Sequence, residues 1–262
     1  MESSQVSGKN VTVILNGYKR PHVLKEQYEA YKNQSVGEPE FMFWGNLSPE
    51  YDSIPFDKDV IDNCRSAISG GNMGVWARFA FALNAQTDFI CVADDDTIPG
   101  QNWLENCLNT SINEIKKPSV LTTRGVVIKD NDYPAPDSYE AFGWCQPNEE
   151  TKKVDFGGHC WFFHKQLLGP YWMFAPLFLP LNFGEDMHLS FAAWKAGGIE
   201  TFTPPHPADK PEMWGSIKER ALDYGQDAVA TSRLGDANQG MKKYYDAIIQ
   251  GGYVAVKDRE NV

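Results

Sequence analysis

The stretch Asp88-Phe89-Ile90-Cys91-Val92-Ala93-Asp94-Asp95-Asp96-Thr97-Ile98-Pro99-Gly100 decides how this chain is read. It opens on an apolar run, Phe89-Ile90-Cys91-Val92-Ala93, whose length and β-branched and aromatic content predict a strand buried on both faces. The run stops on three consecutive aspartates. Adjacent carboxylates repel one another and lose hydration near a core, so solvent or a cation must neutralise them. Their oxygens are hard ligands, for which Mg2+ or Mn2+ is the natural counter-charge. In an open parallel sheet, ligands bind outside the carboxyl ends of the strands, and Asp94 to Asp96 would lie there. A solvated acidic turn is the plain alternative, but the position directly after a buried strand favours a metal site. Pro99-Gly100 then turns the chain into a helix over 103–116.

Upstream, Val11-Thr12-Val13-Ile14-Leu15 reads as a first buried strand, ending in the turn Asn16-Gly17-Tyr18-Lys19-Arg20-Pro21 before a helix over 22–33. A second strand, Glu40-Phe41-Met42-Phe43-Trp44, closes on Gly45-Asn46, and 60–65 reads as a short third. A flexible glycine-rich turn over 69–74 leads into a helix over 75–85, with Trp76, Phe79, Ala80 and Leu83 at helical spacing. Alternating strands and helices predict an α/β fold with a mixed, mostly parallel sheet and helices on both faces.

Downstream, 133–147 reads as a long loop, and strands over 153–156 and 159–163 flank Gly157-Gly158. The aromatic stretch 171–183, interrupted by proline, reads as a packed connector. Gly184-Glu185-Asp186 opens a helix to about residue 196, capped by Gly197-Gly198, and a last strand covers 199–203. Two helices near 217–224 and 237–250 follow, with a mobile loop over 225–235 and a frayed end over 257–262.

With 262 residues and 42% hydrophobic content, the chain can build one large α/β domain. Aromatics reach 13%, with 8 Trp, enough for stacking platforms as well as core. A net charge of -11 argues against non-specific binding to nucleic acid or an anionic membrane. Five cysteines, with no CxxC pair, indicate neither a disulfide framework nor a zinc site, and favour a reduced compartment. The polar first ten residues lack the apolar core of a signal peptide, and the apolar region 161–183 is broken by Lys165, Pro170, Pro176 and Pro180. The expectation is a cytoplasmic protein without an integral membrane segment.

Taken in order, these pieces resemble a family. Asn16-Gly17-Tyr18-Lys19-Arg20-Pro21 follows the first strand, and Asn72-Met73-Gly74 precedes a helix carrying Arg78. Then come Asp94-Asp95-Asp96 with Pro99-Gly100 and Trp103-Leu104, Gly157-Gly158, and Gly184-Glu185-Asp186-Met187-His188-Leu189-Ser190. The pattern is similar to glycosyltransferases of the GT-A fold, closest to the family-two-like group, over about residues 11–203. Residues after His206 match nothing in it. Lys19 is a departure, since many relatives carry Asn in a Tyr-Asn-Arg-Pro turn; this leaves the nucleotide contact there open.

The resemblance implies one GT-A domain: a nucleotide-sugar-binding half over 1–128, an acceptor and catalytic half over 129–215, and a helical extension over 216–262. It implies a nucleotide-sugar donor (UDP by analogy with metal-dependent members), Mn2+ or Mg2+, and transfer to an acceptor hydroxyl, with a glycan rather than nucleic acid as the expected acceptor. Asp94, Asp95 and Asp96 would face donor and metal, Asp94 near the ribose or sugar and Asp96 on the metal. Asp186 would be the general base of an inverting transfer, with Glu185 as the alternative. Asn16, Tyr18, Arg20, Asn46 and Arg78 would contact base or diphosphate, and Gly158 would let backbone approach the sugar. His206, held between two prolines after the last strand, is the third metal candidate; the other reading is a loop histidine. His22, His159, His164 and His188 have no comparable context. Trp161, Trp172, Trp194 and Trp214 are candidates for stacking on an acceptor, Trp194 more simply core and Trp214 on a lid. A retaining transferase on the same fold and a non-catalytic nucleotide- or sugar-binding module are the alternatives.

Overall fold

In the computed structural model, residues 7–174, 183–230 and 235–261 are described. Nine strands form one sheet: β1 (Val11–Gly17), β2 (Glu40–Gly45), β3 (Arg65–Ile68), β4 (Phe89–Ala93), β5 (Ser119–Ile128), β6 (Tyr139–Gly143), β7 (Lys152–Val154), β8 (Phe156–His164) and β9 (Glu200–Thr203). Their order is β3-β2-β1-β4-β8-β5-β9-β7, with β6 on β5. Strands β1 to β5 and β9 run one way, while β6, β7 and β8 run the other. The helices are α1 (Leu24–Lys32), α2 (Lys58–Asp62), α3 (Ala77–Phe81), α4 (Trp103–Asn109), α5 (Leu168–Met173), α6 (Glu185–Gly197), α7 (Lys218–Gly225) and α8 (Ala237–Gln250).

Strand alternation sorts the core into two layers. Val11, Val13 and Leu15 of β1 join Cys91 and Ala93 of β4 and Cys160 and Phe162 of β8, packed with Tyr28 and Tyr31 of α1 and with Trp103 and Leu104 of α4. Ile14, Ile90, Val92, Trp161 and Phe163 point the other way, to Phe79, Tyr171, Met187, Leu189, Tyr244 and Tyr245. The central strands therefore carry continuous apolar runs because both faces are covered.

Several local expectations are corrected. Residues Lys58–Asp62 form a helix, capped by the Asp57 carboxylate accepting from Val60 N–H, and the third strand comes later, at Arg65–Ile68. The ten-residue strand β5 is absent from the sequence reading, although Val120, Thr122, Thr123, Val126, Val127 and Ile128 give it the β-branched content of a strand. Gly157 and Gly158 lie inside β8 rather than in a turn. The segment 133–147 contains β6. The α4 helix widens into a π-helical turn over Thr110–Ile115. Residues 175–182 of the proline-broken connector and 231–234 of the expected mobile loop fall outside the described residues. The expected frayed end is instead a 3-10 helix, Val256–Asn261, tied down by Lys257 on the Lys129 carbonyl and by Arg259 on the Val254 carbonyl. No helix among the described residues is long and apolar enough to cross a membrane.

One feature of β8 positions the site. Thr122 of β5 pairs with Trp161, but Arg124 pairs with Gly158, so β8 holds one extra residue across this step. This β-bulge throws His159 into the left-handed region at φ 66. Gly157 allows it: an added Cβ would sit 2.1 Å from the Arg124 carbonyl oxygen and 2.2 Å from Thr122 Oγ1, whereas one on Gly158 meets nothing within 4 Å. Gly157→Ala is expected to cost about 2 kcal/mol or more, because a backbone atom cannot yield, while Gly158→Ala stays within about 0.5 kcal/mol. Urea unfolding of the two variants side by side checks the pair.

Candidate active site

Asp94, Asp95 and Asp96 follow β4 at the carboxyl end of the sheet, and the chain holds them from three directions. From α1, the buried Gln27 donates its side-chain amide to the carbonyls of Asp94 (2.5 Å) and Thr97 (2.8 Å). From the β8 bulge, the carbonyl of His159 accepts from Asp94 N–H (2.8 Å) and from the Thr97 hydroxyl (2.9 Å). From the C-terminal segment, Ile217 N–H donates to the Ile98 carbonyl (2.8 Å). The turn is thereby fixed before any ligand is considered.

Two buried guanidiniums share the surrounding acids. Arg20 donates to Asp95 (2.7 Å), lies 3.8 Å from Asp96, and makes a two-bond pair with Asp227 (2.7 and 2.8 Å). Arg78 donates to Asp94 and to Glu185 (2.8 Å), with its face 4.9 Å from the Trp161 ring. Both arginines were expected on the donor's base or diphosphate. In the structure their forks are committed to carboxylates, so they position the acids. Asp227 lay in the expected mobile loop, and no motif marked it.

The acids still outnumber the cations, and their proton affinities show it. Burial pushes Asp95 up to about 6, with Arg20 opposing and Asp96 and Asp94 adding to the rise. Asp94 is also raised, by burial against the pull of Arg78. On Asp96 burial acts upward, but the hydrogen bond and charge of His159 outweigh it and hold the carboxyl below its usual range. Burial lifts Glu185 to about 8, since its one cation is shared with Asp94, and lifts Asp186 to about 6 against the Met187 N–H bond.

The metal candidates separate. His206 is fully buried, its Nδ1–H donating to the Pro204 carbonyl (2.8 Å) and its Nε2 accepting from Gly215 N–H (3.2 Å). Burial drops its pKa to about 4, and neither nitrogen is left for an ion. His159 stands in its place: Nδ1 is 3.5 Å from Asp96 Oδ1, and ligand atoms of Asp94, Asp96 and His159 all lie within 4.8 Å of one another. Two carboxylates and one imidazole are a donor set that fits Mn2+. The His159 ring stacks on Trp144 at 4.7 Å and 8°, and Trp144 is itself left-handed at φ 52. A histidine inside a strand gives no sequence signal; only the bulge turns it toward the aspartates.

The remaining candidates are placed as follows. Tyr18 and Asn46 are joined through Asn72, whose amide donates to the Tyr18 hydroxyl (2.9 Å) and whose carbonyl accepts from the Asn46 amide (3.0 Å). Asn16 is half-buried near the end of β1. Gly158 borders open space. Asp186 Oδ1 accepts from Met187 N–H (2.7 Å), so Asp186 is the freer of the two acids that open α6, and Glu185 belongs to Arg78. Trp161 and Trp214 are core residues whose indole N–H groups donate to Gly157 and Pro207 carbonyls, and Trp194 packs on Tyr253. Trp214 is therefore an anchor and no lid, and Trp172 is half-buried against Tyr171.

No protein-family model and no curated protein matches the chain. Among solved structures it superposes on S. aureus TarS with a TM-score of 0.50 at 14% identity, over 92% of this chain and 42% of TarS. On TarS 1-349 the TM-score is 0.51 at 14% identity, over 95% of this chain and 77% of that one. The chain thus spans under half of the longer TarS chain. The mannosyltransferase PcManGT from Pyrobaculum calidifontis, in complex with GDP-Man and Mn2+, gives a TM-score of 0.47 at 14% identity, over 94% and 76%, too low to carry weight. The sheet and its neighbours define the fold as GT-A, with a mixed, mostly parallel sheet.

Removing one partner of a buried ion pair leaves the other uncompensated, at a cost of about 3–5 kcal/mol. Arg20→Met is expected to lose stability in that range at pH 8. The loss should be smaller at pH 5, below the value of about 6 to which Asp95 is already raised, because the orphaned carboxyl then takes up a proton. Urea unfolding at the two pH values reads both size and sign.

Proposed function

We propose that this protein is a metal-dependent glycosyltransferase that moves a sugar from a nucleotide-sugar donor to an acceptor hydroxyl with inversion. The observation that supports this most is the convergence of Asp94, Asp96 and His159 at the carboxyl end of a GT-A sheet, linked through Arg78 and Glu185 to Asp186 at the start of α6.

Asp94, Asp96 and His159 would hold a divalent ion, Mn2+ ahead of Mg2+ because one ligand is an imidazole. Such an ion supplies positive charge where the donor's diphosphate gains negative charge as the glycosidic bond breaks. Arg20, Gln27 and Arg78 hold the acidic turn in place. Tyr18, Asn46 and Asn72, joined at the ends of β1 and β2, would receive the nucleotide base together with Asn16. The open space over Gly158 gives the donor sugar room. Asp186, with its pKa lifted to about 6, is ionised at neutral pH and strong enough to take the acceptor hydroxyl's proton. Glu185, raised by burial and already committed to Arg78, is the poorer base. UDP is the preferred nucleotide, from the group the sequence resembles, and a glycan the preferred acceptor. On this reading residues 1–128 serve the donor and 129–215 the acceptor, while 216–262 fasten the site through Asp227 and α8.

Thermal shift against UDP-, GDP- and dTDP-sugars, each with Mn2+, Mg2+ or EDTA, tests the donor site. One nucleotide with metal, at about 100 times Kd, should stabilise by about 2.7 kcal/mol. The shift should vanish in Asp96→Asn and need at least about tenfold more Mn2+ in His159→Ala. Absence of any nucleotide-dependent shift would leave a GT-A fold without this donor site. For the base, kcat/KM should fall as pH drops through about 6, and Asp186→Asn should lose at least about 100-fold. Transfer surviving in Asp186→Asn would remove the base assignment, and NMR of the product anomer separates inversion from retention.

A further inference from the structure

A cavity opens against β5 and β6, with a volume of about 420 Å³, in the range of a small-molecule site. Arg124 lies deepest among its charged residues; Lys129, Asp137, Glu140 and Gln146 are exposed around the mouth, and Tyr139 is half-buried in the wall. The Arg124 guanidinium has no ion pair and no hydrogen bond among the described residues. That is unexpected in a chain of net charge -11, whose buried arginines Arg20 and Arg78 are each shared between acids. Asp137 and Glu140 are near enough to line the same cavity, yet neither comes within ion-pair distance of Arg124. Both face water, where their charge is largely screened.

Two chains of contacts lead from the cavity toward the proposed chemistry. Arg124 lies 5.9 Å over the Trp144 ring, Trp144 stacks on His159 at 4.7 Å, and His159 reaches Asp96 at 3.5 Å. Through the other wall, Tyr139 packs edge-on against Tyr133 at 5.3 Å. The hydroxyl of Tyr133 is raised by burial and then by the charge on Asp186, while Arg124 pulls it back, so both charges are felt at one ring. A molecule held on Arg124 would therefore be linked to the metal candidates through the Trp144–His159 stack, and through Tyr139 to Tyr133 on the side of the candidate base. A guanidinium with free donors fits a carboxylate or a phosphate ester through two parallel hydrogen bonds, which a neutral sugar cannot accept as strongly.

We infer that this cavity is the acceptor subsite, and that it takes a glycan or small molecule bearing an anionic group, a carboxylate or a phosphate ester, bound by Arg124. The inference rests on the glycosyltransferase reading for its purpose, but its test does not need the donor. Titration calorimetry of the full chain without nucleotide would use three probes: methyl β-glucuronide, glucose 6-phosphate and methyl β-glucoside. At least one anionic probe should bind about tenfold or more tighter than the neutral one. The tighter anion tells carboxylate from phosphate ester. Arg124→Gln should erase the preference while keeping the nucleotide- and Mn2+-dependent thermal shift, which reports a folded donor site. If Arg124→Gln does not fold, Arg124→Met, which keeps the stem over Trp144, replaces it and should erase the preference equally. No preference in the wild type, or an undiminished one in the folded variant, overturns the proposal. Anion binding lost with Arg124 in a protein that shows no nucleotide shift would instead count against the donor reading and leave the subsite standing.

Discussion

Asp94, Asp95 and Asp96 end a strand that is buried on both faces, and the arrangement around them follows from how that charge is held. A carboxylate taken from water without a partner costs several kcal/mol, far more than one surface ion pair returns. Arg20 and Arg78 meet part of the cost from two sides, and each reaches an acid from a distant part of the chain: Asp227 after α7 and Glu185 at the start of α6. The same two arginines that make the acidic turn tolerable thereby join the first strands, helix α6 and the C-terminal segment at one point. Acid remains in excess, and that excess is what would attract a cation.

Geometry at this point depends on a fault in the sheet. The extra residue in β8 puts His159 in a left-handed conformation that costs a β-carbon-bearing residue of order 1–3 kcal/mol. The surroundings hold it there. The His159 carbonyl receives two hydrogen bonds from the acidic turn, and its ring lies flat on Trp144, against whose edge Gly225 of α7 packs. The C-terminal segment thus touches the site through Ile217 on Ile98, through Gly225 on Trp144 and through Asp227 on Arg20. Helix α8 steadies the far side: Tyr244 packs on Gly184, at φ 84, immediately before Glu185 and Asp186.

Much of this was legible in the chain itself. The apolar run before the aspartates, the turn after β1 and the glycine-bounded helix from Glu185 to Gly197 are local patterns, and local patterns fix strands, caps and turns. The alternation of strands and helices gave the fold class, and the three carboxylates marked the place where acid gathers. What could not be read was pairing. The Arg20 and Arg78 side chains look like free cations in one dimension, and only packing shows that carboxylates from distant segments have claimed them. His206 looked held in place for a metal because two prolines flank it, yet burial consumed both its nitrogens.

The sequence by itself determined that a buried strand delivers three carboxylates to the ligand-binding edge of an α/β sheet, with a second acidic pair opening a later helix. Those facts depend on neighbours within a few residues, through backbone periodicity and side-chain type. The tertiary structure decided which histidine joins the aspartates, which acid of the Glu185–Asp186 pair is left free, and that Arg124, among the described residues, has neither an ion pair nor a hydrogen bond. Those outcomes depend on contacts between residues far apart in the chain, from His159 with Asp96 at a separation of 63 to Arg20 with Asp227 at 207, and on one bulge whose register no local pattern specifies.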